Sequence, residues 1–189
     1  MSETTAVYLV RHAHAEWRAD EDRPLSSDGR AAALRLAAAF EHITIDAIYS
    51  SPSARAIETV APIAARRQLN PIVINDLRER ELQTATISEF AAAVHASWER
   101  PDVAVVAGAE SNLAAQGRAI AVVHRVLERH GGRSVVISTH GSLLTLILNG
   151  FDKSFAYDFW HSLTFPDVYE LTFDENALAG VRRLRVDGQ

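Results

Sequence analysis

Ala6-Val7-Tyr8-Leu9-Val10 is an unbroken apolar run that stops at Arg11. A strand with one wet face alternates apolar and polar side chains, so an uninterrupted run marks a strand buried on both faces. Shorter apolar runs follow at Ala47-Ile48-Tyr49, Pro71-Ile72-Val73-Ile74 and Val135-Val136-Ile137. Helical patterns lie between them. Ser26 or Ser27 can cap a helix that places Ala33, Leu36, Ala37 and Phe40 on one face. A second helix is expected from about Ser53, with Ile57, Val60 and Ala64 turned inward and a kink or early end at Pro62. Ser111 to Arg129 reads as the longest helix, stopped by Gly131-Gly132, and Leu143 to Leu148 as a short one ending at Asn149-Gly150. Tyr169, Leu171 and Phe173 alternate with polar residues, as do Leu184 and Val186, which suggests an edge hairpin turning at Asp174-Glu175-Asn176. Strands alternating with helices imply an α/β three-layer sandwich, with a mostly parallel central sheet flanked by helices.

The segment 83–108 is less regular. Ser88 to Trp98 forms a candidate helix capped by Ser88, with Phe90, Val94 and Trp98 on one face, and the insertion is expected to act as a small lid. No repeat, linker or low-complexity tract is visible, so residues 1–189 are read as one domain.

In open α/β sheets ligands bind beyond the carboxyl ends of the strands. The first strand there ends in Arg11-His12-Ala13, the second in Ser50-Ser51-Pro52-Ser53-Ala54-Arg55, and the fourth in Ser138-Thr139-His140-Gly141. Leu77-Arg78-Glu79-Arg80-Glu81 follows closely on the third. Histidines, arginines and a carboxylate therefore converge on one edge. Phosphoryl transfer needs that combination: cationic donors for the equatorial oxygens, a nucleophile in line, and an acid for the leaving oxygen.

Composition narrows the partners. With 24 acidic residues against 19 basic ones the formal net charge is -5, which suggests neither a nucleic-acid surface nor an anionic membrane. An anionic substrate must then be attracted by a local cluster of Arg and His. The absence of cysteine excludes disulfides, thiolate metal sites and cysteine-phosphatase chemistry. Met1 to Thr5 lacks the basic start of a secretory signal, no apolar run approaches the ~20 residues of a membrane span, and a cytoplasmic location is expected. His12-Ala13-His14 is not accompanied by a further ligand set, so no metal or other cofactor is expected. His42, His95, His124, His130 and His161 have no motif around them and read as surface or structural residues.

Along nearly its whole length the chain resembles the histidine phosphatase (phosphoglycerate mutase-like) superfamily. Arg11-His12-Ala13 is similar to the family's Arg-His-Gly signature, and Pro24-Leu25-Ser26 with Gly29 to the segment that opens its first helix. Ser50 to Ala56 with Glu58-Thr59 resembles its second arginine motif, Leu77-Arg78-Glu79 its acidic motif, and Ser138-Thr139-His140-Gly141 its second histidine motif. The resemblance implies His12 as the nucleophile that becomes phosphohistidine, Arg11, Arg55 and His140 as the phosphate pocket, and Glu79 as the proton donor. The physics agrees: His12 attacks only as neutral imidazole, which adjacent Arg11 favours, and arginine forks match phosphate oxygens. A surface ion pair with Arg80 is the competing role for Glu79.

Two departures bear on activity. Many members continue the first signature with Gly-Glu-Thr and Trp-Asn; here the run is Ala13-His14-Ala15-Glu16-Trp17-Arg18, so Arg18 either reaches the substrate or is simply solvated. The loop from Trp17 to Pro24 and the segment between Glu81 and Glu110 are also shorter than in the mutases. A mutase must enclose its intermediate and exclude water, so shorter loops favour water as acceptor. The expectation is a phosphatase acting on monoesters of small phosphorylated metabolites. A protein phosphohistidine phosphatase in signalling is the runner-up, which Arg23-Pro24-Leu25-Ser26 suggests and the Glu79 motif opposes. A phosphoglycerate mutase and a non-catalytic phosphate-binding domain are the remaining alternatives. Oligomeric state is not legible.

Overall fold

The computed structural model describes residues 4–16, 23–82 and 86–186. Strand β1 (Thr5–Arg11) is followed by α1 (Ser27–Ala39), β2 (Ala47–Ser50), α2 (Ala54–Arg67), β3 (Ile72–Val73), α3 (Ile87–Glu99), α4 (Asn112–Arg129), β4 (Ser134–Thr139), α5 (Gly141–Phe151), α6 (Tyr157–Ser162), β5 (Asp167–Asp174) and β6 (Ala177–Arg183). The six strands form one sheet in the order β3-β2-β4-β1-β5-β6. Pairing is parallel from β3 through β1 and antiparallel at β5 and β6. The expected mostly parallel α/β sandwich is the fold observed.

β1 explains its own sequence. Val7 and Leu9 face one core with Val135, Ile137, Val122 and Ile147, while Tyr8 and Val10 face another with Leu36, Phe40, Ile48 and Ile63. Helices α4 and α5 thus cover one face and α1 and α2 the other, which leaves no solvent-facing position between Val7 and Val10. Ser26 caps α1 by accepting from the Gly29 N–H at 3.0 Å, and Ala33, Leu36, Ala37 and Phe40 are buried as expected. Ser111 caps α4.

Several elements depart from expectation. Helix α2 does not end at Pro62 but continues to Arg67. The lost backbone bond, which costs ~3 kcal/mol in an isolated helix, is outweighed by burial of Val60, Ile63 and Ala64 against the sheet. Helix α5 starts at Gly141 and continues past Asn149-Gly150 to Phe151. Thr86 caps α3, not Ser88, through a capping box with Glu89. β3 has only Ile72 and Val73, both exposed. Leu184 and Val186 lie beyond β6, which ends at Arg183; they fold back onto the sheet, where Leu184 N–H reaches the Val168 carbonyl at 2.9 Å. Around α3, Leu82, Ala93 and Val94 form a separate small core with Phe90, Trp98, Tyr157 and Trp160. It is tied to α4 through Arg80, which donates to Asn112, which in turn donates to the Ser97 carbonyl. Among the described residues no helix is long and apolar enough to cross a membrane.

Candidate active site

Because β1, β2 and β4 run parallel side by side, their carboxyl ends share one edge. His12 follows β1, and its N–H donates to the Thr139 carbonyl at 3.0 Å, which locks it beside the end of β4. Its side chain is only 6% exposed. Nδ1 lies 2.7 Å from the Ala13 carbonyl, which can only accept, so the proton sits on Nδ1 and Nε2 carries the lone pair. Burial and the nearby Arg55, then Arg11 and Arg23, hold the imidazole well below its ordinary pKa, against the opposing pull of the Ala13 carbonyl. His12 is therefore neutral, with a defined nucleophilic nitrogen.

Arg55, 6% exposed in the first turn of α2, donates from Nε to His12 Nε2 at 3.3 Å. Its helix is fastened on both sides: Ser138 Oγ donates to the Ala56 carbonyl at 2.8 Å, and Ala13 N–H donates to Thr59 Oγ1 at 2.9 Å. His140 is fully buried, with its ring centroid 5.2 Å from that of His12. Ser51 Oγ lies 2.7 Å from its Nε2, whereas Nδ1 is buried without a partner. Burial, then His12, Arg55 and Arg23, keep His140 neutral as well. The tautomer in which Ser51 donates to Nε2 leaves Nδ1–H as a donor for an incoming anion. Arg11 spends Nη1 on the Leu163 and Thr164 carbonyls at 2.9 and 3.3 Å, and its Nε is likewise buried without a partner. Burial pulls its pKa down to about 10, against the attraction of Glu79 and Asp167, so it stays charged at neutral pH. Two orphaned buried donors beside a neutral imidazole form a site waiting for oxygen acceptors.

Glu79 sits across the start of α5. Its Oε2 accepts from Ser142 N–H at 3.1 Å, and Oε1 from Leu143 and Arg80 N–H at 3.0 and 2.9 Å. The loop that carries it hangs on Arg118 of α4, which donates to the Asp76, Arg78 and Glu79 carbonyls and, at 2.7 Å from both Nε and Nη2, to Glu110. The surface pair considered for Glu79 is not formed, since it takes the Arg80 backbone N–H and not the guanidinium.

Arg11, His12, Arg55 and His140 are thus brought together, and Glu79 stands against the same helix start as His140. Arg18 lies outside the described residues. Four residues went unassigned in the sequence. Arg23, half-buried, lowers the pKa of both His12 and His140 and is itself attracted by Glu79, which places its charge at the site. Its signal was present in Arg23-Pro24-Leu25-Ser26, which suggested the phosphohistidine phosphatase reading without giving Arg23 a place in the site. Ser51, Arg118 and Phe165 act through their neighbours, and nothing in the sequence shows those contacts. Among the described residues no group of three or more His, Cys, Asp or Glu could hold a metal ion.

A sequence description of the histidine phosphatase superfamily (branch 1) matches residues 7–183. Phosphoglycerate mutase-like protein 4 of Arabidopsis thaliana is 31% identical over 154 residues, which is 73% of this chain and 67% of the plant protein. The structure of Bacillus stearothermophilus YhfR superposes with a TM-score of 0.77 at 28% identity, covering 98% of this chain and 97% of that one. The native mycobacterial glucosyl-3-phosphoglycerate phosphatase shares the fold at a TM-score of 0.77 and 22% identity, over 95% of this chain and 97% of that one.

Proposed function

The chain belongs to the histidine phosphatase superfamily (branch 1), and from that premise we propose that it is a metal-independent phosphatase of small phosphorylated metabolites, working through a phosphohistidine on His12. One observation carries this reading: His12 is held neutral with its proton on Nδ1, so the lone pair of Nε2 faces the cationic group of Arg55. In the first step Nε2 forms a bond to phosphorus, the bond to the leaving oxygen breaks, and Glu79 delivers the proton that makes it an alcohol. Arg55 gives up Nε2 and turns to a phosphoryl oxygen, joined by Arg11 and His140 Nδ1–H, with Arg23 adding positive charge. In the second step water attacks phosphorus, its proton passes to Glu79, and inorganic phosphate leaves neutral His12 behind. Water is favoured as acceptor over a second substrate because the segments from Trp17 to Pro24 and from Glu81 to Glu110 are shorter in sequence than those of the mutases, although the plant relative carries a mutase-like name.

A protein phosphohistidine phosphatase is the second reading, and the docking of Glu79 favours it. Accepting three backbone N–H bonds, this carboxylate is held as an acceptor, which suits a leaving group that does not depend on it. Turnover of alkyl phosphates against phosphohistidine peptides separates the two. For the nucleophile, His12→Ala should lose nearly all turnover and all acid-labile phosphoprotein while still binding inorganic phosphate. A variant that keeps most of its turnover overturns the mechanism.

A further inference from the structure

Phe165 belongs to none of the motifs, yet it stands at the site. It precedes β5 and is 43% exposed, an unusual state for a phenylalanine. Its ring centroid lies 3.5 Å from Cζ of Arg11 and 5.5 Å from the ring centroid of His12. The opposite side of Arg11 is closed by backbone. A Cβ on Gly141 would stand 3.0, 3.1 and 3.2 Å from Nε, Cζ and Nη2 of Arg11. Those near-equal distances put Gly141 over the flat of the guanidinium and not at its edge. The cation is therefore sandwiched between an aromatic ring and a glycine, with Nη1 tied to the Leu163 and Thr164 carbonyls.

The ring is carried on an anchored loop. Asp167, 1% exposed, accepts from Arg183 Nε and Nη2 at 2.8 Å each and from Thr164 N–H at 3.0 Å. Arg183 also reaches Thr164 Oγ1 at 2.9 Å. The same loop thus supplies the carbonyls that take Nη1 and the ring that covers the face. A carboxylate in the place of Phe165 would hold Arg11 too, but it would consume the donors and cancel the charge that an anion needs. A π face attracts the cation without taking a single N–H.

We infer that Phe165 is a positioning residue for the phosphate pocket: by clamping the Arg11 guanidinium flat against Gly141, it keeps the Nε donor free and aimed for a phosphoryl oxygen. This rests on the reading of the pocket as a phosphate site, but not on turnover.

The test is calorimetric affinity for inorganic phosphate in the wild type, Phe165→Leu, Phe165→Tyr, Arg11→Ala and the Arg11→Ala/Phe165→Leu double variant. Leucine fills the space without the ring's charge distribution and should weaken phosphate about tenfold, within the range of a partly desolvated cation–π pair. Tyrosine should recover most of that loss. In the Arg11→Ala background the leucine change should cost nothing further, because the two act as one unit. Affinity for Phe165→Leu equal to wild type, or losses that simply add, overturns the inference. Coupled losses in a protein that hydrolyses no ester leave it standing and sink the phosphatase reading alone. A wild type that binds no phosphate overturns both.

Discussion

Gly29→Ala is the substitution whose outcome the structure fixes most sharply, because helix propensity and local packing disagree on its sign. Gly29 lies in the first turn of α1, where alanine is worth about 1 kcal/mol more than glycine. A Cβ there, however, would stand 2.0 Å from the His14 carbonyl oxygen and 3.0 Å from its carbon. Both are backbone atoms, and ordinary contact lies at 3.4–4 Å, so helix and loop must part by roughly 1 Å or more. That oxygen also accepts from Ser26 N–H at 3.0 Å and from Ser26 Oγ at 3.2 Å. Overpacking costs ~1–3 kcal/mol, and each strained hydrogen bond adds about 1 kcal/mol. Set against the propensity gain, the net loss should be roughly 2–4 kcal/mol.

The same displacement reaches the chemistry. His14 is two residues from His12, and a shift of about 1 Å at a reacting group can cost on the order of 10²-fold in rate. Gly117→Ala is the matched control. It is an exposed position inside α4, where a Cβ would meet nothing within 4 Å. There the identical chemical change should stabilise by about 0.5–1 kcal/mol and leave turnover alone. Urea unfolding of both variants, with kcat/KM on any hydrolysed ester, is the assay. If Gly29→Ala proves as stable as Gly117→Ala, or turns over within about threefold of wild type, the inferred contact between α1 and the His12 loop is wrong.

Two further outcomes follow from the site. Glu79→Gln should cost on the order of 10²–10⁴-fold on alkyl phosphates and much less on nitrophenyl phosphate, whose leaving group needs no proton; Glu81→Gln should matter far less, and equal losses on both substrates would remove Glu79 as the acid. Stability should also fall on acidification. His12 and His140 are held neutral by burial, so below the ordinary value of ~6.5 the unfolded chain binds protons that the folded one refuses. Their contribution is complete above that value and is lost as pH drops, by up to ~1.4 kcal/mol per unit for each imidazole. Replacing His140 by Asn should flatten the slope by up to one such increment, and an unchanged slope between pH 6.5 and 5 would contradict the burial of a neutral imidazole.

The site was legible to the extent that it depends on strand ends. Arg11, His12, Arg55 and His140 each end or follow a buried parallel strand or open the helix after it, and unbroken apolar runs announce such strands. Helix ends were less readable, since they answer to tertiary contacts. Pro62 predicts a break only for a helix that lacks a buried face, and α2 buries Val60 and Ile63. β6 was placed too late because its true residues, Ala177–Arg183, form a mostly exposed edge with weak alternation. Leu184 and Val186 alternate because they pack on the core beneath α1 and α2. Phe165 and Arg118 were invisible for a different reason. What they do is defined by Arg11 and Glu79, which are distant in the chain.

Helix α5 shows how these long-range contacts are made to serve the site. Its N-cap is His140, whose side chain makes no capping bond. Ser, Thr, Asn or Asp would ordinarily stand there and bond the N–H groups two or three residues on. An imidazole aimed into the pocket leaves those groups unmet, and Glu79 meets them from another segment, at Ser142 and Leu143. A carboxylate also suits the positive end of the helix. Glu79 and His140 are thereby fixed to the same turn of backbone, so that in the proposed mechanism proton delivery and anion binding would share one frame. The arrangement further separates two substitutions that look alike. Glu79→Gln keeps one oxygen, which can still take the Leu143 and Arg80 N–H groups, but turns an NH2 toward the Ser142 N–H and removes the proton. Glu79→Ala removes every acceptor, uncaps α5 at a cost of about 1 kcal/mol and lets His140 move. Phosphate affinity should therefore fall less with the glutamine change than with the alanine change, although neither residue need touch the phosphate.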